Sequence, residues 1–374
     1  MPEGTAHSTG AADGPHTATA AGTTTATTAA AASAATRTTG ATTAAVAAET
    51  TTRTTAATDA PGARPPRARL AERRATVDAV LRNSPLQPLF RLAAHRRLAV
   101  LAYHGVDDPR VFALQMERLV RHARPVSAAD VDQAVHSGRP LPPRSVLVTF
   151  DDGDRTVLTE GLPVLTRLGI PAAAFVVTDL IGGDQPFWWG EAAFLAAHGG
   201  AARALADCPP GGVVRRMKTL ADRDRRTALA ELRESAGIRA PRREQLTPDD
   251  LRALVRGGVA VGNHTAGHPC LDRCEDDTVR AEIAGAHEAL TGWLGRAPTA
   301  FAYPNGNLDP RAEAELRRLG YRTGFLFDHR HDRLLPPHPL RISRLRVNST
   351  TGRDRFDTIL SGLHPAVHRL RGGA

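Results

Sequence analysis

The stretch VLVTFDDGDRT, residues 146–156, begins like a strand buried on both faces, with four of its first five residues apolar. Such runs suit a parallel sheet covered on both sides. This one ends on two adjacent carboxylates, Asp151 and Asp152, followed by Gly153, which lets the backbone turn sharply. In isolation, Asp-Asp-Gly reads as an ordinary turn. The question is why a buried strand should carry a pair of acids to its tip.

Similar apolar runs recur along the chain: LAVLAYH at 98–104, AAAFVV at 172–177, VAVGN at 259–263, TAFAY at 299–303, TGFLF at 323–327 and, more weakly, LRISRLRV at 340–347. Helical patterns separate most of them. Residues 157–168 carry apolar positions at helical spacing, and Val279, Ile283, Ala286, Leu290 and Trp293 share one face of a helix over 276–294. LTPDDLRAL, from residue 246, has Thr247 as N-cap, Pro248 at the first helical position and Asp250 three residues after the cap. Strands alternating with helices predict an α/β fold, an incomplete (distorted) β/α barrel of about seven strands. Residues 183–245 exceed what one crossover needs and are expected to form a helical insertion on the rim.

The ends read differently. The first 60 residues hold 20 Thr and 21 Ala, and beyond Ala their only apolar side chains are Met1 and Val46. Such a segment cannot bury enough apolar surface to offset its ordering entropy. The expected organisation is a disordered tail over 1–65, a helical lead-in over 66–96, the barrel over 97–350 and a C-terminal helix over 351–374. With no signal-peptide pattern and no apolar stretch long enough to span a bilayer, the chain as written reads as cytoplasmic. The net charge is +9, yet Lys218 is the only lysine among 48 basic residues, and aromatics make up 4%. No basic block is interleaved with aromatics, so nucleic acid is not the expected partner. Three cysteines make no disulfide framework. Cys270 and Cys274 lie near His264 and His268 in HTAGHPCLDRC, which could instead be a small structural zinc site, although the usual paired spacings are absent.

The reactive residues follow the strands. His104 follows the first, Asp151 and Asp152 the next, His264 and His268 the run at 259–263, and Pro304, Asn305 and Gly306 the run at 299–303. In β/α barrels, catalytic groups cluster at the C-terminal strand ends. A carboxylate and two imidazoles form a ligand set for a catalytic divalent metal, with Zn2+ the first expectation. A second carboxylate can take a proton from water, and a further imidazole can protonate a leaving group.

At these residues the chain resembles the polysaccharide deacetylases, carbohydrate esterase family four. TFDDG (149–153), HTAGHP (264–269) and FAYPNG (301–306) are similar to that family's first three motifs in kind, order and separation. The resemblance covers roughly residues 97–350. It implies Asp151 as general base, Asp152, His264 and His268 as metal ligands, and an oxyanion-stabilising backbone N–H at Asn305. Tyr303 and Pro304 would help shape the substrate groove. The chain departs from the pattern at Ala302, where members often carry an arginine that orients the base. The acid is resembled by His104 in LAYH (101–104), which fits a subgroup with an early Leu-x-Tyr-His element. His364 in GLHP is the alternative.

The expected activity is therefore metal-dependent removal of N-acetyl groups from an amino sugar in a glycan or glycoconjugate, with that N-acetylated sugar as the partner. The alternatives are hydrolysis of another small amide or an O-acetyl ester, or a catalytically silent glycan-binding barrel. Trp188 and Trp189 are candidates to stack on a sugar ring, with Trp188 placed among the substrate-binding residues. Asp309, His329 and His331 read as solvated loop residues rather than ligands.

Overall fold

A computed structural model of the chain describes residues 76–370. The Thr/Ala-rich tail expected over 1–65 lies outside them. In chain order the strands are β1 (Arg97–Tyr103), β2 (Arg124–Pro125), β3 (Ser145–Phe150), β4 (Ala172–Val176), β5 (Val259–Asn263), β6 (Ala300–Ala302), β7 (Thr323–Phe325), β8 (Asp332–Arg333) and β9 (Leu345–Arg346). The helices are α1 (Gln87–Ala94), α2 (Pro109–His122), α3 (Ala128–Ser137), α4 (Leu162–Leu168), α5 (Trp188–Ala197) and α6 (Val213–Met217). They continue with α7 (Asp222–Ser235), α8 (Pro248–Arg256), α9 (Asp276–Leu294), α10 (Pro310–Arg318), α11 (Arg353–Ser361) and α12 (Leu363–Leu370).

Six strands run parallel in the order β1-β3-β4-β5-β6-β7. Their register holds the C-terminal ends level: Tyr103 lies opposite Phe150, and Val176 opposite Asn263. The sheet curls into the incomplete barrel. Alternate strand residues fill two cores, as the two-residue period requires. Leu101, Tyr103, Val148, Phe150 and Ala174 face Phe112, Leu165 and Leu254 of the surrounding helices. Val100, Leu147, Ala173, Phe175 and Phe325 form the second core.

The expected strand at 340–347 is mostly absent, and the difference has a cause. Its start is a 3-10 turn, Pro339–Arg341, and only Leu345 and Arg346 pair as a strand. The Asp328 carboxylate accepts from Ser343 Oγ and from the Arg344 N–H, occupying positions that a neighbouring backbone would otherwise fill. The segment nonetheless bridges the open seam. Ile342 pairs in parallel with Phe325 of β7, and Leu345 and Arg346 pair with Leu101 and Ala102 of β1. Strands β2 and β8, two residues each, carry no periodicity and have no counterpart in the sequence reading.

Elsewhere local chemistry sets the boundaries. Thr247 and Asp250 form the capping box of α8, with Pro248 inside its first turn. The helix expected over 157–168 opens as a π-turn over Val157–Gly161, next to Pro163, which cannot donate to the helical ladder. Between β4 and α8 the insertion packs its own core, with Trp188, Leu195, Met217, Leu229 and Leu232 buried together. The lead-in is a helical stretch over 76–82 followed by α1, and Gly362, at φ 84°, divides the expected C-terminal helix into α11 and α12. The two ends are tied together, since Ser361 Oγ donates to Gln87 Oε1 and Arg355 pairs with Asp78. No helix among the described residues is long and apolar enough to cross a membrane.

Candidate active site

His104, Asp151, His264 and Tyr303 each directly follow a strand of the parallel run, so their backbones share one rim. The turn after β3 takes two consecutive left-handed residues, Asp152 at φ 70° and Gly153 at φ 80°. Gly153 is required there, since a Cβ would also meet Val176 at 3.2 Å. Of six described non-glycine residues with positive φ, Asp152, Thr265, His268 and Asn305 belong to these rim loops. Backbone strain of this kind persists only where the surroundings over-determine it. Here Asn263 Oδ1 accepts from the Thr265 N–H at 2.7 Å, and Thr265 Oγ1 accepts from the His268 N–H at 3.0 Å. Asn263 is itself held through Nδ2, which donates to the Ile283 carbonyl and to the Tyr321 hydroxyl.

The loops bring Asp152, His264 and His268 into one group whose ligand atoms all lie within 4.8 Å of one another. Asp152 Oδ1 stands 3.4 Å from Nε2 of each histidine. That is too long for a well-formed hydrogen bond, and Oδ1 is buried without a hydrogen-bond partner. His264 Nδ1 lies 2.7 Å from the Ala302 carbonyl, which fixes its proton there and leaves Nε2 as a lone pair towards Asp152. A buried, unpartnered carboxylate oxygen facing two imidazole nitrogens fits a divalent cation. The electrostatics agree. Burial pushes the Asp152 carboxyl up, but the two histidines outweigh it and hold it far below the usual carboxylate range. Burial pushes His268 down to about 3, against the pull of Asp152, so the ring is a neutral donor. Burial also lowers His264, but Asp151 and Asp152 more than reverse this, so the carboxylates favour positive charge at this point.

Asp151 has a different neighbour, which the sequence reading missed. Arg344 is fully buried and donates two parallel hydrogen bonds to the Asp151 carboxylate, from Nη1 to Oδ1 at 2.7 Å and from Nη2 to Oδ2 at 2.8 Å. Its Nε donates to the Leu326 carbonyl, and Nη1 also reaches Thr149 Oγ1. Bidentate charge-assisted pairing fixes both the plane and the charge of the carboxylate. Burial raises the Asp151 pKa, yet Arg344, with His264 and His104, brings it below the ordinary carboxylate range. The arginine lacking at Ala302 is thus replaced from the segment that bridges the seam. Arg344 alternates in phase with Ile342 in LRISRLRV, and a charged residue on the inward phase of a strand-like run was the available signal.

A cavity of about 770 Å³ opens over this centre, lined by Asp151, Asp152, His264 and His268 together with His104, Asn305, Gly306, Phe327, Trp189, Lys218 and Arg346. His104 is exposed, with its ring edge-on to Phe327. Other expected site residues sit elsewhere. Tyr303 is fully buried in a core cluster with Phe301 and Leu316, and Pro304 is buried beside it, neither lining the cavity. Trp188 is also buried. Its Nε1 donates to the His268 carbonyl at 3.0 Å, and Arg225 covers its ring. Trp188 therefore steadies the loop that carries His268, while its neighbour Trp189 reaches the cavity, stacked on Phe187 and 4.5 Å from the His268 ring. His364 stands in α12 with Nδ1 3.0 Å from His329 Nε2, away from the cavity lining. His329 and Asp309 are buried rather than solvated: His329 accepts from the Arg346 N–H, and Asp309 caps α10.

The rival zinc site is not assembled. Burial raises the Cys270 thiol and takes Cys274 up to about 12. Cys270 Sγ instead accepts from Asn305 Nδ2, and among the described residues the histidines group with Asp152, not with cysteine.

The comparisons with known proteins bear on the family and the fold. A 24% identical relative, the poly-beta-1,6-N-acetyl-D-glucosamine N-deacetylase of Escherichia coli strain K12, matches over 255 residues. That match takes in 63% of this chain and 34% of the relative, so the chain spans about a third of that protein's length. Two solved structures share the fold at a TM-score of 0.50 each: the deacetylase PplD of Streptococcus pyogenes, in complex with acetate, and IcaB from Ammonifex degensii. They are 16% and 21% identical, and each comparison covers 71% of this chain, with 98% and 96% of the respective structures. The polysaccharide deacetylase family model matches residues 138–324, half of the chain and the stretch that carries Asp151, Asp152, His264, His268 and Asn305, and the chain belongs to the polysaccharide deacetylase family.

Proposed function

We propose that the chain is a metal-dependent N-deacetylase acting on an N-acetylated amino sugar in a glycan or glycoconjugate. The observation that carries this reading is the division of labour between adjacent carboxylates. Asp152 faces two imidazoles with an unpartnered oxygen, and Asp151 is locked to Arg344. A divalent cation held by Asp152, His264 and His268, with Zn2+ best suited to two imidazoles and a carboxylate, would supply Lewis acidity for activating water and polarising the acetyl carbonyl. Asp151, kept ionised and oriented by Arg344, takes the proton of the attacking water. The Asn305 N–H, beside the cavity in a left-handed turn, donates to the developing oxyanion. His104 protonates the departing amine from the exposed side. Trp189 offers its ring to the sugar, consistent with the relative named for N-acetylglucosamine polymers. A screen of acetate release from N-acetylated sugars and oligosaccharides, with and without chelator and metal reload, tests the reading. No release from any acetylated sugar by the metal-loaded chain would refute it.

The role of His104 has its own test. An amine leaves poorly unless protonated, whereas an aryl acetate has a leaving group that departs unaided. His104→Ala is expected to keep its metal and to lose amide hydrolysis by about 10²-fold or more, with a much smaller loss on an aryl acetate. His364→Ala is expected to change the ratio of the two activities little. Equal losses on both substrates for His104→Ala would make its role structural.

A further inference from the structure

We propose that Lys218 and Arg346 form a recognition site for an anionic group, a carboxylate or a phosphate ester, carried by the sugar substrate; the inference rests on the deacetylase reading of the same cavity. It begins with composition. Of 48 basic residues, one is lysine, and the insertion brings that residue to the cavity containing the metal-ligand group. Arg346 reaches the same cavity from β9.

Neither cation has a carboxylate partner among the described residues, whereas the buried arginines do: Arg344 pairs with Asp151, and Arg225 with Asp222. Arg346 is anchored through Nε and Nη2, which donate to the Phe327 carbonyl, and its guanidinium lies 4.9 Å from the centre of the Phe327 ring. Those contacts fix its position but supply no counter-charge. Of the two acids lining the cavity, Asp151 is paired with Arg344 and Asp152 faces the two histidines, and neither forms an ion pair with Lys218 or Arg346. The cavity therefore holds two cations with no carboxylate at ion-pair distance among the described residues, the nearest influence on Arg346 being the more distant Asp328.

Partly buried, unpaired charge is costly, and it persists where something outside the chain offsets it. A neutral sugar relieves none of this. A carboxylate or phosphate seated between an ammonium, a compact charge with three rotatable donors, and a planar guanidinium does.

The test is a binding ratio, measured by calorimetry on the metal-loaded full chain carrying Asp151→Asn, so that nothing is turned over. The probes are N,N′-diacetylchitobiose as the neutral sugar, N-acetylmuramic acid for the carboxylate and N-acetylglucosamine 1-phosphate for the phosphate. At least one anionic sugar is expected to bind tenfold or more tightly than the neutral one, and whichever of the two is tighter identifies the source of the anion. Adding Lys218→Met is expected to cut that ratio five- to tenfold, and Lys218→Glu to bring it below one. A ratio near one in the parent overturns the proposal. So does a high ratio that both Lys218 substitutions leave intact, since the anion would then be held by the metal alone. Absence of acetate release from these three sugars and from every sugar of the acetate-release screen, by the unsubstituted metal-loaded chain, would refute the deacetylase reading and leave the binding comparison standing.

Discussion

Asp151→Asn is expected to retain its metal and to lose turnover by about 10²- to 10⁴-fold, the usual contribution of a positioned proton acceptor. Asp152→Ala is expected to lose the metal itself, because one of the three candidate ligands grouped among the described residues disappears. Elemental analysis of the two purified variants, beside their rates of acetate release, separates the roles. A metal-free Asp151→Asn would reverse the assignment. Each protein must also be melted, since replacing Asp151 by a neutral amide leaves the Arg344 guanidinium buried without its counter-charge.

Arg344→Met is the second large effect, and it reaches both stability and pH dependence. Removing one member of a buried ion pair costs about 3–5 kcal/mol, because the other charge is left uncompensated. Asp151 is buried to 3% exposure and Arg344 to 0%, so little solvent is present to soften the loss. The native Asp151 pKa is depressed, so the pair's stabilisation is present above the ordinary carboxylate pKa and is lost as pH falls through the lowered value. Arg344→Met removes the largest influence that lowers the Asp151 pKa, so that pKa is expected to rise. The acid limb of the activity profile should therefore move to higher pH while metal content holds. The double variant Asp151→Asn/Arg344→Met should be less destabilised than the sum of the single losses, as expected for residues in direct contact. An unshifted acid limb together with an unchanged melting temperature would remove Arg344 from the mechanism.

Much of this centre was legible in the sequence because it is local. Strand tips reveal themselves as apolar runs ending in polar residues, and a β/α barrel turns those tips into one rim. Asp151, Asp152, His264, His268, His104 and Asn305 were found this way. What escaped depends on contacts far along the chain. Arg344 meets Asp151 across 193 positions; its phase with Ile342 marks it as inward-facing but does not name its partner. The choice between Trp188 and Trp189 turns on the rotation of a single helix in an insertion with its own core, so one residue of phase decides which ring is buried. Tyr303 shows the converse error: a motif places its backbone on the rim, but its side chain turns into the core beside Phe301. The 340–347 strand was overread because Asp328 and Asp332, outside the run, take the backbone N–H groups of Arg344 and Ser343.

That bridging segment also sets an order of events in synthesis. The family-matched stretch ends at residue 324 and already contains both acids and both histidine ligands. The guanidinium that orients Asp151 lies 20 residues later. A chain clipped before Ile342 would keep those four residues but lack both the side chain that pairs with Asp151 and the segment that bridges β7 to β1. One short stretch makes both contacts, so the seam and the Asp151 pair are expected to form or fail together.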